Sequence, residues 1–336
     1  MMKSVIFISL SLLVSLFAVA QANTDTLRMR AQAFMIKGDY DNALLVLNHA
    51  EEMDAGNADI LKDEAYIYYL QRNFAKAIEI GKNITSHSGA DVQSYQTLGL
   101  AYKATADYVS CDKLYKKAIK QYPNSGVLYS EYGDLLAQQS KPDEAVKLWE
   151  KGIQVDPNNS SNYYYAARYY SQKNKPLWAV LYSETFVNIE SLTQRTIEIK
   201  DILLSNYRKL LTTDVMNTLS QSTNSFEKSI GTILSSYSSM YNNEFTPEQL
   251  TAIRTRFILD WYKNGTSAYN YRLFEHQQLL LQQGMFDAYN QWLFGASAST
   301  SAYQFWINNH SSEVREWQTY LRSVVYKIPS GQYFQH

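Results

Sequence analysis

A period of 34 residues recurs five times between residues 24 and 193 without an insertion. At that offset one column reads Ala43, Ala77, Cys111, Ala145 and Ala179. A second, twelve residues earlier, reads Ala31, Ala65, Gly99, Gly133 and Ala167. Every member is small, and small residues are required where helix backbones approach closely. Two such columns one helix apart therefore mark a helix-turn-helix unit stacked on copies of itself. Between the columns Tyr40, Phe74, Tyr108, Pro142 and Pro176 share one site in the turn. An aromatic ring there plugs the hairpin, whereas proline is pre-set for the first turn of the next helix, where its missing N–H costs nothing. A lone hairpin cannot bury its apolar face, and stacks need about three units for stability.

The rows carry more than small residues. Residues 92–125 give Tyr95, Leu98-Gly99, Tyr102, Tyr108, Tyr115, Ala118 and Pro123, and residues 126–159 give Tyr129, Tyr132-Gly133, Leu136, Ala145, Trp149, Gly152 and Pro157. The first row shows Gly38-Asp39-Tyr40, Leu47 and Ala50, and the second Asn73-Phe74. The fifth keeps Tyr163, Ala167, Tyr170 and Ala179 without a closing Pro. This pattern resembles the tetratricopeptide repeat. The resemblance implies an all-α fold: a right-handed α-solenoid of five hairpins (24–57, 58–91, 92–125, 126–159, 160–193) followed by a C-terminal helical domain. It also implies a concave groove for another protein or peptide, lined by the first helix of each hairpin. On that face lie Arg28, Gln32 and Met35, then Asp63, Tyr66 and Tyr69, Gln96 and Leu100, Glu131 and Asp134, and finally Tyr164, Tyr165 and Arg168.

From that face the candidate partner-binding set is Asp63, Tyr66, Tyr69, Gln96, Leu100, Glu131, Asp134, Tyr165 and Arg168. Rigid rings supply contact area at small entropy cost, and Arg supplies oriented hydrogen bonds. The competing account is that Tyr66, Tyr69 and Tyr165 finish the packing between hairpins. Some members of the family grip a C-terminal carboxylate with basic and amide residues. Here Asp63, Gln93 and Thr97 stand where such groups are expected, so that clamp is missing.

The N-terminus predicts export. Lys3 precedes an apolar and Ser run from Ser4 to Ala20, followed by the small-x-small site Ala20-Gln21-Ala22. This is the pattern of a cleavable signal peptide over 1–22, with cleavage before Asn23. The run is short for a membrane span and lacks a basic stop-transfer flank. Cys111 is the only Cys, so no lipid-acceptor Cys follows the signal and no intramolecular disulfide or Cys-based metal site exists. The expectation is a periplasmic or secreted bacterial protein that is not a lipoprotein and has no transmembrane span once mature. Cys111 itself reads as a buried Ala surrogate in the helix-contact column. The net charge of −1 carries no nucleic-acid footprint. Lys113, Lys116, Lys117 and Lys120 form a basic stripe that reads as a solvated convex face.

The remainder reads as further helix. Ile199, Ile202, Leu203, Tyr207, Leu210 and Leu211 keep a helical period over 194–211, predicting a helix that caps the solenoid. Residues 212–336 then form the C-terminal helical domain, with helical rhythm through Thr212–Ser239. Thr246-Pro247-Glu248-Gln249 opens a helix that Asn264-Gly265 stops. Helices are predicted over Ser267–Gln283, Phe286–Phe294, Ala302–Asn309 and Ser312–Tyr326, with Gly295-Ala296-Ser297-Ala298 as a turn. Trp261, Trp292, Trp306 and Trp317 anchor a separate core. Gly284-Met285-Phe286-Asp287-Ala288 echoes a repeat turn with its small residue one place out of phase. The five His are scattered, and neither a nucleophile elbow nor a phosphate loop occurs. Asp260, Glu275 and His276 form the one trio worth locating. The expectation is a non-enzymatic binding scaffold or assembly factor of the cell envelope without cofactor or metal. The alternative is a glycan-binding envelope protein that uses its groove or C-terminal aromatics.

Overall fold

The computed structural model describes residues 23–87, 90–238, 245–263 and 269–336. The expected signal peptide over 1–22 and the Asn264-Gly265 stop lie outside the described residues. The repeats are five hairpins: α1 (23–36) with α2 (Tyr40–Met53), α3 (Ala58–Leu70) with α4 (Phe74–Ser86), α5 (Val92–Ala104) with α6 (Tyr108–Gln121), α7 (Gly126–Gln138) with α8 (Pro142–Val155), and α9 (Ser160–Gln172) with α10 (Pro176–Ile189). The second helices all begin on the aromatic-or-proline column, 34 residues apart.

Every hairpin turns in the same way. Gly38, Arg72, Ala106, Ser140 and Asn174 take φ values between 54 and 76°. The next N–H then bonds a carbonyl five residues back, Asp39 to Phe34, Asn73 to Tyr68, Asp107 to Tyr102, Lys141 to Leu136 and Lys175 to Tyr170, at 2.8–3.0 Å. Left-handed closure of this kind satisfies carbonyls that the helix end leaves open. Only the first of the five is Gly, so each of the others bears about 1–2 kcal/mol of conformational cost that packing offsets. Asp39, Asn73 and Asp107 then cap the second helix by accepting the N–H of Asn42, Lys76 and Ser110. Lys141 and Lys175 offer no side-chain cap, and Pro142 and Pro176 open those helices instead.

The small columns are helix crossings. Ala43, Ala77, Cys111, Ala145 and Ala179 are all 0% exposed. A Cβ on Gly99 would lie 2.1 Å from the Tyr115 oxygen, and one on Gly133 2.2 Å from Trp149 Nε1. Glycine therefore stands where the second helix brings an aromatic, and Ala where it brings Leu47, Gly81 or Ser183. The Cys111 thiol is buried and donates to the Gly99 carbonyl at 3.6 Å.

The chain divides into two compact units between Pro123 and Asn124. The first holds the first three hairpins. Part of its basic stripe is used locally: Lys117 Nζ donates to the Thr85 carbonyl at 2.8 Å, near the C-terminus of α4, and Lys116 pairs with Asp112. Glu64 is buried, and its Oε1 has no hydrogen-bond partner. Burial pushes its carboxyl up to about 7, with Glu51 adding to the shift and Lys76 opposing it. Because the folded value lies above the unfolded one, near 4.5, its contribution is fully present below that pH and is lost as the pH rises to 7. Glu64→Gln is expected to stabilise this unit by about 2 kcal/mol at pH 8 and to give little at pH 4. Parallel denaturation curves at the two pH values decide it, and equal gains at both would contradict the assignment.

The second unit holds α7–α10 together with α11 (Gln194–Leu210), α12 (Thr213–Ser220), α13 (Ser225–Ser235), α14 (Pro247–Lys263), α15 (Arg272–Gln282), α16 (Phe286–Ala298), α17 (Thr300–Asn309) and α18 (Ser311–Ser323). One hydrophobic core runs from Leu136 to Ile328. The Trp-bearing helices thus share the core of the fourth and fifth hairpins and do not build a separate one. α10 is buried from Pro176 through Val187, with Ser183, Glu184 and Thr185 enclosed among its apolar residues. α11 packs on α9 and α10 and is itself covered by α16.

Several boundaries differ from expectation. Gly295–Ala298 is the last turn of α16, and Gly295 is needed because Tyr303 lies 2.3 Å from where a Cβ would stand. The helix expected from Ser267 begins at Arg272, and the one expected to reach Tyr326 ends at Ser323. Gly284 does make the repeat turn, with φ 70° and a 2.9 Å bond from Met285 N to Leu280 O. Tyr289 fills the small-residue place of that hairpin.

Residues 324–336 leave the helices and run back to the fourth hairpin. Asn158 donates to Ile328 O at 3.0 Å and accepts the Ile328 N–H at 2.9 Å, Tyr333 donates to Gln154 O at 3.0 Å, and Gln335 donates to Glu150 O. Phe334 stacks on Phe226, with centroids 4.2 Å apart and planes at 13°.

Candidate partner-binding site

In the first unit the charged residues of the first helices join one hairpin to the next. Arg28 donates to Asp63 at 3.0 Å and to Asp59 at 3.3 Å, while Lys62 reaches both Asp59 and Asp91 at 2.6 Å. Asp63 is buried. Burial pushes its carboxyl up against the opposing pull of Arg28. Of the sequence-predicted residues here, Asp63 is thus an inter-hairpin tie. Tyr66 and Tyr69 are half-buried and stacked, with centroids 6.1 Å apart, and Gln96 and Leu100 are half-buried on α5.

In the second unit α7 and α9 flank an open cleft of about 460 Å³. Asp134 and Ala137 line it from α7, Ser140 and Pro142 from the turn, Trp149 from α8, and Tyr165, Arg168, Tyr169 and Gln172 from α9. The structure therefore brings together three predicted residues, Asp134, Tyr165 and Arg168, while Glu131 stands half-buried on α7 outside the lining. Trp149 and Tyr169 were not on the predicted face. Trp149 reads from the sequence as a packing residue, and the alternation of Tyr along α9 is the only signal for Tyr169.

The cleft is pre-organised. The Trp149 indole donates to Ser130 O at 3.3 Å, and Tyr165 stacks on it with centroids 5.1 Å apart and planes at 15°. Tyr165 thus packs one ring face while remaining half-exposed. Arg168 is oriented by the Tyr164 hydroxyl at 3.0 Å and by Glu198 at 3.3 Å, and Tyr164 itself donates to Glu198 at 2.7 Å. Tyr169 donates to Asp143 at 2.9 Å, and burial followed by this bond pushes its hydroxyl up to about 12. An aromatic floor with an oriented Arg and a carboxylate at its edges suits a peptide segment that presents one apolar side chain and free backbone polar groups.

The possible catalytic trio is dispersed among other partners. Asp260 accepts from the Tyr237 hydroxyl, and Glu275 pairs with Arg272 at 3.6 Å. His276 is packed against Tyr289, Tyr320 and Tyr326, with burial and then Arg272 driving its imidazole down to about 3. Among the described residues no cluster of His, Cys, Asp and Glu could hold a metal ion. Nor is any described helix long and apolar enough to cross a membrane.

Models of the tetratricopeptide repeat match residues 92–125 and 114–147. Each match is one period long, and the first coincides with the third hairpin. Similar solved structures include TTC0263, a thermophilic repeat protein of Thermus thermophilus, at 16% identity over 56% of this chain and 100% of that one, with a TM-score of 0.45. PilF of Pseudomonas aeruginosa is similar at 17% identity over 62% of this chain and 96% of that one, with a TM-score of 0.48. MamA is similar at 21% identity over 48% of this chain and 94% of that one, with a TM-score of 0.40.

Proposed function

Since the chain is a tetratricopeptide-repeat protein, and such repeats serve protein–protein interaction, we propose that it is a non-enzymatic scaffold or assembly factor of the cell envelope. In this reading it grips a segment of another protein in the α7–α9 cleft. The observation that carries the reading is the convergence of Asp134, Tyr165 and Arg168 with Trp149 on one open cleft. The apolar run and small-x-small site before Asn23 support export by a cleavable signal peptide, and Asn23 in place of Cys directly after that site supports a protein without a lipid anchor.

The test is photo-cross-linking from a probe at Gln172 in the native cell, followed by identification of the captured protein. Tyr165→Ala combined with Arg168→Ala is expected to reduce capture roughly tenfold while the melting temperature changes little, since removal of two central anchors costs at least about 1.4 kcal/mol of binding. Undiminished capture by the folded double variant would move the interface elsewhere. The same cells report on export: a mature chain beginning at Asn23 in the periplasmic fraction is expected, and an intact Met1 in the cytosol would retire it.

A further inference from the structure

Away from the α7–α9 cleft, an open cleft of about 870 Å³ lies on the C-terminal helices. Glu248, Thr251 and Thr255 of α14, Asp287 of α16, and His310 and Glu313 at the α17–α18 junction line it. Trp306 also forms part of its wall. The same Trp306 lines a second pocket of about 220 Å³, together with Trp292, Trp317, Tyr303, Gln318 and Arg322. A single indole therefore borders both spaces. His310 lies flat against one of its faces, 4.7 Å away with planes at 7°.

We propose that these two spaces form a binding site for a neutral oligosaccharide, with the face of Trp306 opposite His310 as the platform for one sugar unit. Pyranose rings present C–H faces that stack on indole and hydroxyl edges that need both acceptors and donors. The smaller pocket supplies the aromatic walls, and Gln318 and Arg322 supply polar groups at its side. Trp317 is 4% exposed and backs this wall. The larger cleft supplies carboxylates and threonine hydroxyls, which suit vicinal hydroxyls better than apolar side chains.

Charge decides between occupants. Glu248, Asp287 and Glu313 outnumber Arg256 in the lining of the larger cleft and disfavour an anionic chain there. In the smaller pocket a cationic or methylammonium group would meet Arg322, and Lys200 already holds the Trp292 face with its Nζ 3.7 Å from the ring centroid. A neutral sugar chain is compatible with both.

The experiment titrates the full mature chain with maltohexaose, cellohexaose, xylohexaose and chitohexaose, following tryptophan fluorescence and calorimetric heat. At least one probe is expected to bind saturably, with a Kd on the order of 0.1–1 mM. Trp306→Ala should weaken that binding roughly tenfold, the equivalent of about 1.4 kcal/mol, and Ala252→Trp, which fills the larger cleft from an exposed helical position, should do the same without touching a core residue. Tyr165→Ala should leave sugar binding unchanged, which separates this site from the peptide cleft. A flat response to all four probes overturns the proposal, as does unaltered binding by the folded Ala252→Trp variant.

Discussion

Arg254→Met is expected to lower the stability of the second unit by about 3–5 kcal/mol, because it strands a carboxylate that has no route to water. Glu184 of α10 is 0% exposed and Arg254 of α14 is 3% exposed, and the two are ion-paired. Gln277 and Tyr289 also donate to Glu184, at 2.6 and 2.8 Å, and Tyr207 donates at 3.3 Å. The guanidinium also donates to Asn290, its Nε is buried without a partner, and the rings of Tyr207, Phe286, Tyr289 and Phe294 surround it with centroids 5.2–5.5 Å away. Burial pulls the pKa of Arg254 down, and Glu184 together with Tyr207 and Tyr289 more than offsets it, so the pKa lies above its usual value. The double replacement Glu184→Leu with Arg254→Met removes both charges and is expected to recover most of the loss, because a buried pair contributes little beyond the desolvation it offsets. Denaturant curves for the two single variants and the double variant give the coupling. A loss below about 1 kcal/mol for Arg254→Met would mean that water reaches the site and that the pair does not fasten α10 to α14.

That pair marks where sequence reading reached its limit. The repeat columns were legible because each small residue answers to a neighbour at fixed spacing, so Ala43 through Ala179 could be placed without knowledge of anything downstream. The column that ends in Glu184 reads Asn48, Lys82, Lys116 and Glu150 in earlier repeats. Its first three members are exposed, Glu150 is half-buried, and only Glu184 is enclosed. What encloses it arrives 23 to 105 residues later in the chain. The one local clue was α10 itself, whose Leu177, Trp178, Val180, Leu181, Phe186 and Val187 leave no polar face for a convex surface. Similar logic applies to the site. Asp134, Tyr165 and Arg168 were legible as a face of the first helices, whereas the Arg28–Asp63 tie depends on rotamers that periodicity does not encode. The left-handed turn residues were equally hidden, because Arg72, Ala106 and Ser140 are not residue types that announce a positive φ.

Cutting the chain after Ser323 is expected to cost about 4 kcal/mol in the second unit and to open its aromatic core to solvent. Val324 and Val325 are exposed, but Tyr326 and Ile328 are 8% and 3% exposed, and full burial of such a side chain contributes about 1.5–3 kcal/mol. Phe334 closes a cluster in which Phe226, Tyr269 and Tyr271 have ring centroids 4.2, 5.6 and 5.7 Å from its own. The segment has no helix of its own, so its backbone groups need partners elsewhere. The Asn158–Ile328 exchange, the Arg272 N–H to Gln332 O bond at 3.0 Å and the Arg272 side-chain bond to Lys327 O provide them. Phe334→Ala removes the stack alone and is expected to cost about half as much as the cut. Melting temperature and protease susceptibility of the three chains give the ordering. A peptide spanning residues 324–336, added in excess to the shortened chain, should restore part of the lost protection, because Gln154 of α8, Phe226 of α13 and Arg272 of α15 still present its partners. Equal stability of the cut and full-length chains would show that the segment merely covers a core already closed by the helices.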